Sequence, residues 1–333
     1  MKKSKRGSPR SKSRLGLGFA VAVCAAVTLA ACGSSSSSTS TKGATKTAPT
    51  GTAGATSATG PGKGKPAITI GDKNFTEEYI LGELYAQALR AKGYHVTVKS
   101  DIGSSEIIDK ALTSGQIQMY PEYVGTILSV VAGQNTQPAS EAATYAAAKR
   151  FENKRGFALL SATPFYDSNA IATLPAYAKK YHLIKISDLK AVGAFSYADT
   201  PENLNRIQGA AGLRKVYGLT KLKFVPLAIG LQYPALEKGN VQTADVFSTD
   251  AQLSQVKLTI LTDNKHIFGF QNVAPVVNEK VLKAEGPAFA QILNAVSAKL
   301  TTSAIQSMNA AVTFNKDLPA SVAGKFLKAN GLG

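Results

Sequence analysis

Cysteine is nearly missing from this 333-residue chain: it has two, Cys24 and Cys32, and none after position 32. Residues 67–333 therefore hold no thiol nucleophile, no disulfide and no cysteine metal site. Their stability has to come from a packed core, for which a segment of that length is ample. Histidine is scarce too. His95, His182 and His266 stand in unrelated contexts, with no second His, Cys or paired acid at a metal-ligand spacing. No G-x-S-x-G, H-E-x-x-H or P-loop occurs, so an enzyme reading has no motif beneath it and no cofactor is expected. Gly60-Pro61-Gly62-Lys63-Gly64-Lys65 has the residues of a phosphate loop but no strand before it. Acids are absent from the first 66 positions, which carry eleven of the 38 Lys and Arg; residues 67–333 hold the other 27 against all 21 acids. No Lys/Arg block in that region reads as a nucleic-acid site. No apolar run reaches the ~20 residues that cross a bilayer.

What is present at the start is a charge pattern. Lys2, Lys3, Lys5, Arg6, Arg10, Lys12 and Arg14 precede the uncharged apolar run Leu15–Ala31, which ends in Leu29-Ala30-Ala31-Cys32. A basic segment, an apolar segment and small residues before a cleavage point make a secretory signal over 1–31. Leu-Ala-Ala-Cys resembles the lipobox of bacterial lipoproteins. That resemblance implies cleavage before Cys32, lipidation of its sulfur, and anchoring to the outer face of the cell membrane. Residues 32–66 are Cys32 followed by Ser, Thr, Gly and Ala with three Pro and four Lys, without a large apolar side chain. Such a stretch cannot bury enough surface to offset its ordering entropy, which predicts a tether. Its lysines can lie against anionic lipid heads.

From residue 67 onward short β-like runs alternate with amphipathic segments. Ala67–Gly71 reads as a strand. Thr76 can cap the helix that follows, with Glu77 and Glu78 in its first turn, where the helix dipole favours acids. Leu81, Leu84, Tyr85, Ala88 and Leu89 then fall on one face. Val96 and Val98 alternate in a second strand, Ser104 or Ser105 opens a second helix, and Gln116–Tyr120 reads as a third strand. Further strands are expected at Ala191–Ser196, Lys223–Ile229, Ala244–Ser248 and Leu258–Leu261, with helices at Leu213–Tyr217, Gln232–Lys238 and Asp250–Val256. This rhythm predicts an α/β fold with parallel or mixed sheets, long enough for two lobes with a cleft between them.

Five segments carry a resemblance to one family: Gly71-Asp72-Lys73-Asn74-Phe75-Thr76-Glu77-Glu78, Met119-Tyr120-Pro121-Glu122-Tyr123-Val124-Gly125-Thr126, Gly230-Leu231-Gln232-Tyr233-Pro234-Ala235-Leu236, Phe247-Ser248-Thr249-Asp250, and Val273-Ala274-Pro275-Val276-Val277. In this order they resemble the osmoprotectant-type binding proteins of ABC importers, which take glycine betaine, choline, carnitine and related quaternary ammonium compounds. The resemblance implies a type II-like, two-lobed periplasmic-binding-protein fold hinged on two crossover strands, with lobe I over 67–167 plus 271–333 and lobe II over 168–270. The implied partners are a small-molecule solute and an ABC permease with its ATPase, and the expected state is a monomer.

A trimethylammonium group has charge but no N–H, so aromatic faces suit it, while a betaine carboxylate wants basic donors. By resemblance, Lys73 and Arg206 meet the ligand carboxylate, Tyr123 and Thr126 belong to a Tyr-x-x-Thr pocket element, Asp167 is an acidic pocket position, and Phe247 stands where a tyrosine is common. Asn169 and Gln271 stand where cage tyrosines are expected. That leaves Tyr123 and Phe247 as the aromatic faces, with Tyr166 or Phe270 as helpers, and brings in two amides. Amides favour a more polar ligand. An amino-acid-like solute such as ergothioneine therefore stays open beside a simple betaine, as does a surface receptor lipoprotein without a transport role.

Overall fold

The computed structural model describes residues 60–333. The signal segment, the Cys32 lipidation site and residues 32–59 of the expected tether lie outside the described residues. The last part of that expected tether departs from the expectation. Residues 60–66 form turns docked on the body, where the Gly62 amide donates to Lys92 O at 3.0 Å and Lys65 Nζ donates to Ala284 O at 2.8 Å. Gly62 lies so close to the chain at Tyr94 that a Cβ would sit 2.2 Å from the Tyr94 nitrogen. A polar, Gly-rich composition hides docking that depends on close backbone approach.

Among the described residues, ten strands build two five-stranded mixed sheets. The first contains β1 (Ile68–Gly71), β2 (Val96–Lys99), β3 (Met119–Tyr123), β4 (Phe157–Leu159) and, from much later in the chain, β10 (Val273–Asn278), in the order β2-β1-β3-β10-β4. The second contains β5 (Asn169–Thr173), β6 (Phe195–Asp199), β7 (Leu222–Pro226), β8 (Thr243–Phe247) and β9 (Thr259–Leu261), in the order β7-β6-β8-β5-β9. Each sheet has three parallel strands, then one antiparallel strand, then an edge. This is the two-lobed α/β architecture expected from the sequence. The chain crosses between sheets twice, after β4 and after β9. The two crossings touch: Tyr166 bridges Asn272, and the Asp167 amide donates to Gln271 O at 3.1 Å.

In the first lobe the helix α1 (Thr76–Arg90) buries Ile80, Leu81, Leu84, Tyr85, Ala88 and Leu89 against Ile68 and Ile70 of the sheet and against Phe289, Leu293, Ile305 and Leu327 of later helices. The helical spacing of those side chains in the sequence is the stripe that is covered. Tyr85 places its hydroxyl 2.9 Å from Ser297 Oγ, so even its polar tip is satisfied in the core. The second helix, α2, spans Ser105–Thr113. The second lobe has its own core around Ile171, Leu189, Phe195, Tyr197, Leu213 and Phe268.

Several elements moved from where periodicity put them. Thr76 is the first residue of α1, whose cap is Phe75, without a side-chain cap bond. The third strand runs on through Pro121 to Tyr123, and Pro121 lies in register with Pro275 of β10. A proline lacks the N–H of a ladder bond, so two prolines facing each other fit only where that pair exchanges none. The run at 191–196 splits into a helical turn, Leu189–Val192, and β6, separated by Gly193 with φ 85°. The helix expected at 250–256 is a single tight turn, Ala251–Ser254. Leu84 is fully buried between α1 and its partners, so Leu84→Ala is expected to cost ~2–5 kcal/mol in urea unfolding. A loss under ~1 kcal/mol would contradict this packing.

Candidate functional site

The parallel strands of both sheets end at one crevice, which is where α/β sheets place their ligands. Its volume is about 370 Å³. Its walls come from the β1–α1 loop, the start of α2, the end of β3, both crossings, the loops after β6, β7 and β8, and the helix Thr302–Thr313. All eight residues singled out in the sequence as ligand positions line it: Lys73, Tyr123, Thr126, Asp167, Asn169, Arg206, Phe247 and Gln271. Tyr166 and Phe270 do not belong to this lining and stand 52% and 37% exposed. The additional aromatic face on the wall is Phe75, stacked on Tyr123 with ring centroids 6.3 Å apart.

The centre of the crevice is acidic. Glu77, on the first turn of α1, is 3% exposed. Its carboxylate accepts three hydrogen bonds: from Tyr123 Oη at 2.7 Å, Thr249 Oγ1 at 2.6 Å and Asn309 Nδ2 at 2.9 Å. Burial pushes its pKa up, and those donors and Lys73 oppose the push. Asp167 is also buried. Its Oδ1 accepts from the Thr249 amide at 3.1 Å and faces Ser248 Oγ at 3.4 Å. Burial first, then the charges of Glu77 and Asp250, hold its carboxyl well above the usual range. Asp250 accepts from Tyr233 Oη at 2.5 Å and from the Phe247 amide at 3.1 Å, and burial pushes it up to about 6. Three carboxyls on one wall are destabilised as anions by burial, Asp167 and Asp250 also by the charge of Glu77, and this favours either a proton or a cation between them.

The basic residues have partners within the protein. Lys73 Nζ is 2.5 Å from Glu122 Oε1 and 3.5 Å from Glu78 Oε1, and stands 4.4 Å from the centroid of the Tyr123 ring. Arg206 reaches across the crevice to α2, with Nε 3.1 Å and Nη2 2.5 Å from the two carboxylate oxygens of Glu106. The amides are engaged as well. Asn169 Nδ2 donates to Asp245 Oδ2 at 2.7 Å. Gln271 Oε1 accepts from the Thr126 amide at 3.1 Å and from Thr126 Oγ1 at 3.3 Å, while its Nε2 donates to Phe268 O at 2.8 Å. Gln271 thus braces the end of β3 against the second crossing. Gly125 is required there, since a Cβ would come within 2.6 Å of Phe270 O and 2.7 Å of Gln271 Nε2. The polar-ligand expectation rested on two free amides, and the amide nitrogens of both already donate to protein acceptors.

Residues 66–329 match the family model described as the substrate binding domain of the ABC-type glycine betaine transport system. The chain belongs to this family. A glycine-betaine-binding protein of Pseudomonas aeruginosa is 32% identical over 277 residues, covering 80% of this chain and 88% of the relative. The glycine betaine-binding protein YehZ of Escherichia coli is 27% identical, covering 79% and 90%. A crystal structure of a glycine betaine/carnitine/choline ABC transporter protein superposes with a TM-score of 0.64 at 25% identity, covering 80% of this chain and 99% of the other. Within this member of the glycine betaine family, sequence reasoning missed Phe75, Glu77, Thr249, Asp250 and Asn309. Four of these lie inside the segments that carried the resemblance. Glu77 was assigned only to the helix dipole, and Asn309 has no local signal, because only the folded chain brings it to Glu77.

The carboxyls set a pH dependence with a definite sign. A carboxyl whose folded pKa is raised favours the protonated native state. Its contribution is complete below the unfolded value near 3.8 and is lost as pH rises through about 6, for Asp250. Without ligand, the thermal midpoint is expected to fall between pH 4.5 and 7, with a shallower fall in Asp250→Asn. A midpoint that climbs over this window, with the same slope in the variant, would refute the assignment.

Proposed function

We propose that this protein captures a quaternary ammonium osmolyte outside the membrane and delivers it to the permease and ATPase of an ABC importer, without chemical turnover. The observation that carries this reading is the cluster of Glu77, Asp167 and Asp250 on a crevice wall shared with the rings of Phe75, Tyr123 and Phe247. A permanent cation without N–H groups gains from carboxylate charge and from ring quadrupoles, each ring contact being worth ~0.5–2 kcal/mol. It also relieves the mutual repulsion of the acids. The family and the relatives named above support the transport role. Signal-like residues before Cys32 and the lipobox-like Leu29-Ala30-Ala31-Cys32 support export and lipid anchoring at Cys32. Among the eight sequence-chosen residues, Asp167 and Phe247 are the ones we assign to the ligand's cationic head. Lys73, Gln271 and Asn169 hold the wall in shape.

Isothermal titration with quaternary ammonium compounds tests this. Saturable binding is expected, weakening as pH drops below about 6 because the acids protonate. Asp167→Asn keeps the side chain's shape and removes its charge. It is expected to weaken binding at least ~10-fold while leaving apo stability about equal, since the amide oxygen can still accept from the Thr249 amide. Absence of binding by any quaternary ammonium compound in the wild-type protein would overturn the proposal.

A further inference from the structure

The crevice wall has three basic side chains among the described residues, Lys73, Arg206 and Lys316. A ligand carboxylate would find its strongest, charge-assisted donor in one of them. Lys73 is buried, 4% exposed, between Glu122 and Glu78. Lys316 donates to Thr313 O at 2.8 Å on the surface. Arg206 is the remaining candidate, and Glu106 takes it in a two-point grip, with Nε and Nη2 on separate carboxylate oxygens. Parallel N–H···O bonds of this kind hold a guanidinium in one orientation as well as neutralising it. Glu106 is itself fixed, since Ser104 Oγ donates to its Oε2 at 2.6 Å, and Asn203 Oδ1 accepts from Arg206 Nη1 at 3.2 Å. The first turn of α1 also faces the crevice, and there it carries Glu77, whose charge opposes an incoming anion; the other side-chain donors of the wall, such as Gln208, are neutral. At the same time Glu77, Asp167 and Asp250 face the crevice with no basic side chain bridging to Asp167 or Asp250.

We infer that Glu106 sets the class of ligand: by holding Arg206, it makes the crevice select a quaternary ammonium that is a net cation over one that carries its own carboxylate. Glu106 lies outside the crevice lining, on the first lobe, and is 48% exposed. It is a positioning residue that acts through Arg206. The inference rests on the quaternary-ammonium reading above and narrows it. A zwitterionic ligand would bring its carboxylate to a wall whose acids are already in excess, and would have to displace Glu106 to reach the guanidinium. A cationic ligand with a hydroxyl end meets neither obstacle.

The test is a pair of titrations at pH 7.5, with choline as the cationic probe and glycine betaine as the zwitterionic probe, on wild type and on E106Q. Choline is expected to bind wild type at least ~10-fold more tightly than glycine betaine. E106Q, which frees the guanidinium charge, is expected to shrink that ratio at least ~3-fold, mainly by gain of glycine betaine affinity. A purely structural role for Glu106 would weaken both ligands together and leave the ratio where it was. Equal or tighter binding of glycine betaine by wild type overturns the inference while leaving the proposed function intact, as does an unchanged ratio in E106Q. Binding of neither probe, nor of any other quaternary ammonium compound, by wild type overturns both. The wild-type comparison stands by itself should E106Q fold poorly.

Discussion

A carboxylate withdrawn from water needs hydrogen-bond donors, and Glu77 draws its three from three distant parts of the chain. Tyr123 comes from the end of β3, Thr249 from the loop after β8, and Asn309 from a helix near the C-terminus. Two belong to the lobe that carries Glu77, and Thr249 belongs to the other. The same loop gives its Thr249 amide to Asp167 on the first crossing and its Thr249 carbonyl to Asn309. One buried side chain thus connects the recognition wall to the closure of the crevice. An uncompensated acid here would cost several kcal/mol, so the lobes gain by coming together around it.

The distribution of charge follows from the same constraint. Each basic side chain on the wall has an acceptor within the protein, while the acids at its centre are left with neutral donors and one another. Burial raises the cost of that arrangement, and a bound cation lowers it. On the proposed reading, a cation entering such a site favours the ionised acids and displaces their protons. The aromatic faces then add shape and modest attraction, with Lys73 already lying over the Tyr123 ring. On the proposed reading, carboxylate charge and ring faces together hold the cationic head.

Much of the fold was legible because its signals are local. The α1 stripe from Leu81 to Leu89 and the alternation of Val96 and Val98 are patterns of period 3.6 and 2 that tertiary structure did not override. The β10 strand gave no alternating pattern, since Val273–Val277 is buried on both faces in the middle of a sheet. In the site, residue identity and position could be carried over, so all eight chosen residues reached one crevice. Their partners could not. Whether Lys73 or Arg206 is free depends on Glu122 and Glu106, tens of residues away in sequence. Nothing in the local sequence states that Gln271 accepts from Thr126. Glu77 shows the limit most clearly: a first-turn acid is a sufficient helix signal by itself, and only the fold adds a buried crevice and a donor from each lobe.

The central claim is that ionised carboxylates, at least partly protonated before binding, hold the ligand's cationic head. Proton linkage reads this directly. Calorimetric binding enthalpies for choline, measured near pH 6 in buffers of differing ionisation enthalpy, give the number of protons exchanged per ligand bound. The account predicts net proton release near pH 6, shrinking toward zero by about pH 8 for the share contributed by Asp250. Binding with no proton exchange near pH 6, or with proton uptake, would contradict it.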